Sequence, residues 1–280
     1  MEKKTWLITG VSSGFGYELT RQLLESGNNV VGTIQKESET EKIRFFYETY
    51  PNQFEYEVLD IADSYTSSKV VEGAFKRHTS VDVIVSNAGY GLYGAAEEVT
   101  KKEIDDIIAA NLTGSIMFIK NSLSFLRKQG GGRIIQISSF EGQVATPGSS
   151  IYNATKFGIE GFCEALSQEV APFNIGVTII EPGKSRTSFE YASVKTTGSL
   201  SEYDISPAHN YLTRTISPSP GNPTLVAARI IESSNINPAP LRIILGKEAI
   251  EETISTLESR LAVYKSQIKT APTSDYNNNI

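Results

Sequence analysis

The sequence predicts an α/β fold, a single doubly wound sheet of parallel strands, and three observations carry that prediction. Short apolar runs recur along the chain, amphipathic stretches long enough for helices separate them, and a glycine-rich turn joins the first run to the first helix. The runs fall at 6–9, 30–34, 54–59, 81–86, 132–138, 176–181 and 241–245. Apolar strands that alternate with helices pair in parallel through right-handed crossovers, which winds helices onto both faces. At 280 residues and 39% hydrophobic content the chain can bury a sizeable core. No internal repeat is visible, and one domain over 1–270 is favoured over two small ones.

The first helix begins around Gly14 and ends near Gly27, a C-terminal glycine. Another starts at Thr100-Lys101-Lys102-Glu103, where Thr and Glu stand at the spacing of a capping box. Region 188–223 follows the sixth strand, is rich in Ser, Thr, Tyr and Pro, and lacks apolar periodicity. An irregular excursion of that length is expected to be a substrate loop or lid. Over 247–269, Ile250, Ile254, Leu257, Leu261, Tyr264 and Ile268 recur at spacings of four and three. They predict a C-terminal helix whose apolar seam packs against the body or a partner subunit. Residues 271–280 read as a disordered tail.

Composition removes several function classes. A net charge of −6 argues against a nucleic-acid or anionic-membrane surface. Cys163 is the single cysteine and His78 and His209 the only histidines, so neither a disulfide framework nor a Cys/His metal site is expected. Met1-Glu2-Lys3-Lys4 leads directly into the first strand without an apolar signal core, and no stretch is long enough to span a bilayer. A soluble, cytoplasmic chain is expected.

The remaining signals are chemical. Gly10, Gly14 and Gly16 fall between the first strand and first helix, where a tight turn, close backbone approach to a pyrophosphate and a helix N-terminus coincide. Tyr152 and Lys156 stand four residues apart, so on a helix they share a face and an ammonium sits beside a phenol. That neighbour favours the phenolate and makes the pair a tuned acid/base. At the end of the second strand, Gly32-Thr33-Ile34-Gln35-Lys36 offers no acid before Glu37. A carboxylate there would bind the ribose of NAD, whereas Lys36 can pair with the extra phosphate of NADP, so NADP(H) is favoured.

Thr9-Gly10-x-x-x-Gly14-x-Gly16, Asn87-Ala88-Gly89, Asn111, Ser139, Tyr152-x-x-x-Lys156 and Pro182-Gly183-x-x-x-Thr187 together resemble the short-chain dehydrogenase/reductase family in order and spacing. The resemblance covers about residues 5 to 190 and implies one Rossmann-type domain that includes the substrate site. It implies that Ser12, Ser13, Phe15, Gln35 and Ala88 border the dinucleotide. It also places Asp60 at the adenine, Asn87 and Gly89 at the adenosine ribose, and Pro182, Gly183 and Thr187 at the nicotinamide. Ser86 departs from the usual Asn-Asn-Ala-Gly, and Gln35 stands where NADP-using relatives often carry arginine. By the same resemblance Tyr152 is the general acid/base and Lys156 binds the nicotinamide ribose. Ser139, thirteen residues before Tyr152, holds the substrate oxygen, and Asn111 holds a water of the proton relay.

Tyr90, Leu92, Tyr93, Phe140, Gln143, Val144, Phe189 and Tyr191 are candidates for the wall of an apolar cleft. They suggest a substrate of some bulk, and the leading expectation is an NADPH-dependent carbonyl reductase acting on aldehydes or ketones. Two alternatives stand beside it: oxidation of a secondary alcohol, steroid- or retinol-like, and a catalytically silent dinucleotide sensor. A homodimer through helices near 101–127 and 151–172 is expected by resemblance, with the C-terminal helix covering the edge of the last strand.

Overall fold

The centre of the sheet is its most buried part, and the strands there come from the start of the chain. In chain order the strands are β1 (Thr5–Ile8), β2 (Asn29–Ile34), β3 (Phe54–Val58), β4 (Val83–Ser86), the short β5 (Leu92–Tyr93), β6 (Gly132–Ile137), β7 (Ile175–Pro182), the short β8 (Val194–Lys195) and β9 (Arg242–Leu245). Seven of them form one parallel sheet in the order β3-β2-β1-β4-β6-β7-β9. Each of the seven apolar runs became one of these strands. The computed structural model describes residues 3–196, 200–210 and 219–275, except for the side chains of Glu190 and Tyr191.

Period-two alternation sorts the side chains between two cores. Trp6 and Ile8 face α1 (Gly14–Glu25) and share a cluster with Leu19, Leu23, Val226 and Ile230. Between them Leu7 joins the opposite cluster with Val71, Phe118 and Ile159. Short α2 (Arg44–Thr49) adds Phe46 to the first core; α3 (Ser64–Arg77) lines the second. All four residues of β1 and of β4 are buried, so these strands need no polar alternation. Edge strand β3 does alternate, and its Glu55 and Glu57 pair with Arg77 at 3.0 and 2.9 Å.

The chain runs outward from β1 through β2 to β3, then crosses back to start β4 on the other side of β1. This reversal opens a crevice at the carboxyl ends of β1 and β4, the usual place for a ligand in such sheets. Helix α4 (Lys101–Ile108) opens with the predicted capping box: Glu103 N donates to Thr100 Oγ1 at 3.2 Å, and Thr100 N donates to Glu103 Oε2 at 2.8 Å. It does not run straight into α5 (Ser115–Gln129), because a wide π-helical turn, Ala109–Gly114, intervenes. The second catalytic-side helix is α6 (Ser150–Val170).

Three expectations change. Within the predicted lid lie α7 (Phe189–Ala192) and β8, which pairs in parallel with β5. Val194 N donates to Gly91 O and Thr196 N to Tyr93 O, both at 2.9 Å, so the backbone there is satisfied by a strand rather than left irregular. Residues 197–199 and 211–218 of that region lie outside the described residues. After α8 (Pro223–Ser233), α9 (Lys247–Ser266) starts at Gly246, whose φ of 118° suits glycine. Of the two covers expected for its seam, the body and a partner subunit, the body does not provide one: Ala249 and Thr253 are its buried residues, whereas Ile254, Leu261 and Tyr264 stay exposed. Of the predicted tail, Ala271–Ser274 forms a 3-10 turn, and 276–280 lie outside the described residues.

Candidate active site

The crevice is a cleft of about 870 Å³. Its floor at the β1 end is the glycine-rich turn, where Gly10 N and Val11 N donate to Thr33 O at 3.0 and 2.9 Å and side chains complete the hold. Asn87 Nδ2 donates to Thr9 O at 2.8 Å and Gly10 O at 3.1 Å, and the backbone N–H groups of Asn87 and Ala88 donate to Thr9 Oγ1. The turn closes so tightly that a Cβ on Gly16 would lie 2.1 Å from Gly10 O. A side chain at that position is sterically impossible without opening the turn, and a bare backbone leading into the N-terminus of α1 is the cradle that a pyrophosphate requires.

Around this cradle the cleft is lined by Gly10, Ser12, Ser13, Gly14, Phe15, Gln35, Asp60, Asn87, Ala88 and Gly89, and farther along by Pro182, Gly183 and Thr187. The predicted cofactor residue Lys36 is not among the lining residues. It is exposed, and the strand's alternation leaves Gln35 on the cleft instead. Glu39, which sequence reasoning missed, occupies that end. Its Oε2 accepts from Ser12 Oγ and from Gln35 N, each at 3.1 Å, while Lys42 pairs with Oε1 at 2.9 Å. Burial pushes the Glu39 carboxyl up, but the Lys42, Gln35 and Ser12 hydrogen bonds outweigh it and hold the pKa below its ordinary value. The detectable signal was an acid within one turn of the strand's end, on a 3-10 segment anchored by buried Ile43.

At the other end Ser139, Tyr152 and Lys156 converge, all buried and all lining the cleft. Lys156 Nζ donates to Ile137 O at 3.2 Å and lies 5.6 Å from the centre of the Tyr152 ring. The expected lowering of the phenol's pKa is reversed. Burial, followed by Glu141 and Tyr93, raises the Tyr152 phenol well above its ordinary value, and the hydrogen bond with Ser139 offsets only part of this. Burial lowers Lys156 to about 8 against the pull of Glu160 and Glu141. Both groups are shut away from water, so each is pushed toward its neutral form.

Adjacent Ser138 is spoken for: its Oγ donates to Glu160 Oε1 at 2.6 Å. Gln143, expected on the cleft wall, instead donates to Glu160 Oε2, because this buried carboxylate takes every donor nearby. Arg242 completes the cluster, reaching Glu160 at 2.5 Å, Glu164 at 2.7 Å and Glu181 at 2.9 Å. Burial, then Glu160, raises Glu181 to about 7. Asn111 sits in the π-helical turn and is not a lining residue; it accepts from Tyr90 N at 3.0 Å and donates to Tyr90 O at 2.8 Å, bracing the loop after Gly89.

Tyr90, Tyr93, Phe140 and Phe189 do line the cleft, and Phe189 stands 6.0 Å from Tyr152 between ring centres. The side chain of Tyr191 lies outside the described residues. Glu141 also lines the cleft and is buried, and burial raises its carboxyl. No spacing in the sequence singles it out, because its importance comes from the fold pressing it beside Tyr152.

Residues 4–197 match the family model for short chain dehydrogenase. Among curated relatives, the chain is 30% identical over 254 residues to oxidoreductase BOA17 of Botryotinia fuckeliana, covering 89% of this chain and 90% of that one. It is 37% identical over 190 residues to a 3-ketodihydrosphingosine reductase of Bacteroides thetaiotaomicron, covering 68% and 66%. The crystal structure of a short-chain dehydrogenase from Streptomyces avermitilis superposes with a TM-score of 0.88 at 32% identity, covering 98% of this chain and 99% of that one. A nucleotide cradle at one end of the cleft, a buried Ser-Tyr-Lys set at the other and a family match over most of the chain lead to one assignment: this chain belongs to the short-chain dehydrogenase family and is an NAD(P)-dependent oxidoreductase of CH–OH and C=O groups.

Proposed function

We propose that the chain is a carbonyl reductase, and the observation that carries this reading is the convergence of Ser139, Tyr152 and Lys156 at the inner end of the cleft. A phenol is protonated near neutral pH, so Tyr152, beside Ser139 and Lys156 on the cleft, can give a proton to a carbonyl oxygen, the role that reduction needs. The Bacteroides relative named for a keto reduction supports the same direction. When bound, a nicotinamide supplies the hydride. Tyr152 Oη donates its proton to the carbonyl oxygen, and Ser139 Oγ donates a hydrogen bond to the same oxygen as its charge develops. Lys156 would hold the ribose of a bound nicotinamide and return a proton to the phenol, and Asn111 keeps the loop at Tyr90 in place.

On the cofactor, the expectation of NADP(H) rested on Lys36. The side chain against the second strand's end is Glu39, a carboxylate that accepts ribose hydroxyls and repels a phosphate, so the cleft favours NAD(H). This one observation also favours a second reading, oxidation of a secondary alcohol with NAD+. Assay of aldehydes and ketones with NADH and NADPH, and of secondary alcohols with NAD+ and NADP+, decides among them. Faster reduction with NADH is expected; turnover with no compound would leave the silent sensor. Glu39→Gln should shift the ratio of kcat/KM toward NADPH by about tenfold, the effect of removing one opposed charge. A wild type that already prefers NADPH overturns the role of Glu39. For assembly, the proposal is a homodimer through α4–α5 and α6.

A further inference from the structure

Helix α9 carries an apolar stripe that the fold leaves uncovered. Ile250, Ile254, Leu257, Leu261 and Tyr264 occupy one side of it, Ile268 follows in the next turn, and their exposures run from 37 to 71%. Single exposed leucines are ordinary, but a contiguous stripe of six large side chains marks a contact surface. From Ile250 to Tyr264 the alternating spacings of four and three average 3.5, the period that keeps a stripe in line with another helix. A different side faces the body, through buried Ala249 and Thr253 and through Arg260, whose guanidinium lies 5.2 Å from the centre of the Phe157 ring.

We propose that α9 pairs with α9 of a second copy of this chain, the two helices running antiparallel. Charge selects the direction. In a parallel pair, with Arg260 engaged with Phe157, the flanking positions bring no opposite charges together. Antiparallel, with Leu257 opposite Leu261 of the second copy, Glu251 flanks Lys265 of the second copy at both ends. The cost is one Glu258–Glu258 approach at the two-fold axis, since Arg260 is engaged with Phe157. Six side chains of this size, roughly half exposed, hide several hundred Å² per copy, approaching the ~800 Å² per partner of a stable interface. An anionic lipid surface fits poorly, because Glu248, Glu251, Glu252 and Glu258 outnumber Lys247, Arg260 and Lys265 on this helix.

The test is the mass of the full-length protein in solution by light scattering, which is independent of any activity. Leu257→Glu with Leu261→Glu should halve the mass, from a tetramer in which α9 joins two α4–α5/α6 dimers to one such dimer, with an unchanged circular dichroism spectrum, and Ser259→Glu, off the stripe, should not. Lys265→Glu alone should weaken association severalfold, and adding Glu251→Lys should restore it. Equal masses for wild type and the Leu257/Leu261 variant would overturn the pairing, as would a monomeric wild type that co-sediments with phosphatidylglycerol vesicles. Failure of the charge swap to restore association would overturn the antiparallel arrangement.

Discussion

Ser138 and Ser139 end β6 side by side and illustrate how one rotation of the backbone separates structure from chemistry. Ser138 Oγ satisfies buried Glu160, whereas Ser139 Oγ accepts from Glu141 N at 3.1 Å and reaches Tyr152. Ser139→Ala should therefore lower kcat/KM by about 10²-fold, the scale of one oxyanion donor. Ser138→Ala should cost about 1–2 kcal/mol of stability with little change in kcat. Steady-state kinetics and urea unfolding on both variants check this, and the reverse pattern would exchange their roles. Tyr152→Phe removes only the hydroxyl; we expect a loss of about 10³-fold or more in turnover with cofactor affinity, read by titration calorimetry, nearly unchanged. Ser139, Tyr152 and Lys156, the proposed catalytic set, were legible as a group because their spacing is local, and the fold brings them to one end of the cleft. Glu39, Glu141 and Glu160 were not: each matters through partners brought by other elements, Glu39 by Ser12 and Glu160 by Ser138 and Arg242.

At the level of elements, strands were easy to read and the lid was not, because apolar runs fix a strand whereas a polar excursion is fixed by scattered hydrogen bonds. One of those fixings is titratable. His209 lies 3.1 Å from buried Glu98 and 3.1 Å from Asp204, and Glu98 also accepts from Leu200 N at 3.0 Å. The hydrogen bond to Glu98 raises His209 above its ordinary 6.5 in spite of burial, with Asp204 adding to it. A raised imidazole stabilises fully below 6.5, the unfolded value, and that contribution disappears as pH rises through the higher folded value. Burial pushes Glu98 up, but His209 and two backbone N–H groups win and keep it ionised, so its own contribution fades only in acid. Cleavage of segment 200–210 by a protease should accelerate above neutral pH, after correction for the protease's own profile. His209→Gln should remove that pH dependence; an unchanged profile would show that the imidazole does not latch the segment.

For the whole molecule, Arg242 is the tie between the last strand and the catalytic helix, joining β9 to Glu160 and Glu164 of α6 and to Glu181 of β7. Removing it strands two buried carboxylates. Because the guanidinium is about a third exposed, Arg242→Ala should cost roughly 2–3 kcal/mol, the lower side of what breaking a buried pair costs. A urea midpoint equal to that of wild type would show that water takes its place. The sheet order carries a further consequence for how the protein is made. An interior strand, β1, leaves the ribosome first, β2 and β3 extend it on one side, and β4, β6, β7 and β9 then extend it on the other. Every new parallel strand thus finds its neighbour already synthesised, and a growing chain never waits with a gap in the middle of its sheet. Arg242 arrives with the last strand, so until it does, Glu160 and Glu181 lack their cation, although Ile159, Cys163 and Leu166 already seat α6 on the sheet. A nascent chain cut short before β9 would carry every catalytic residue and still fall short of a settled active site.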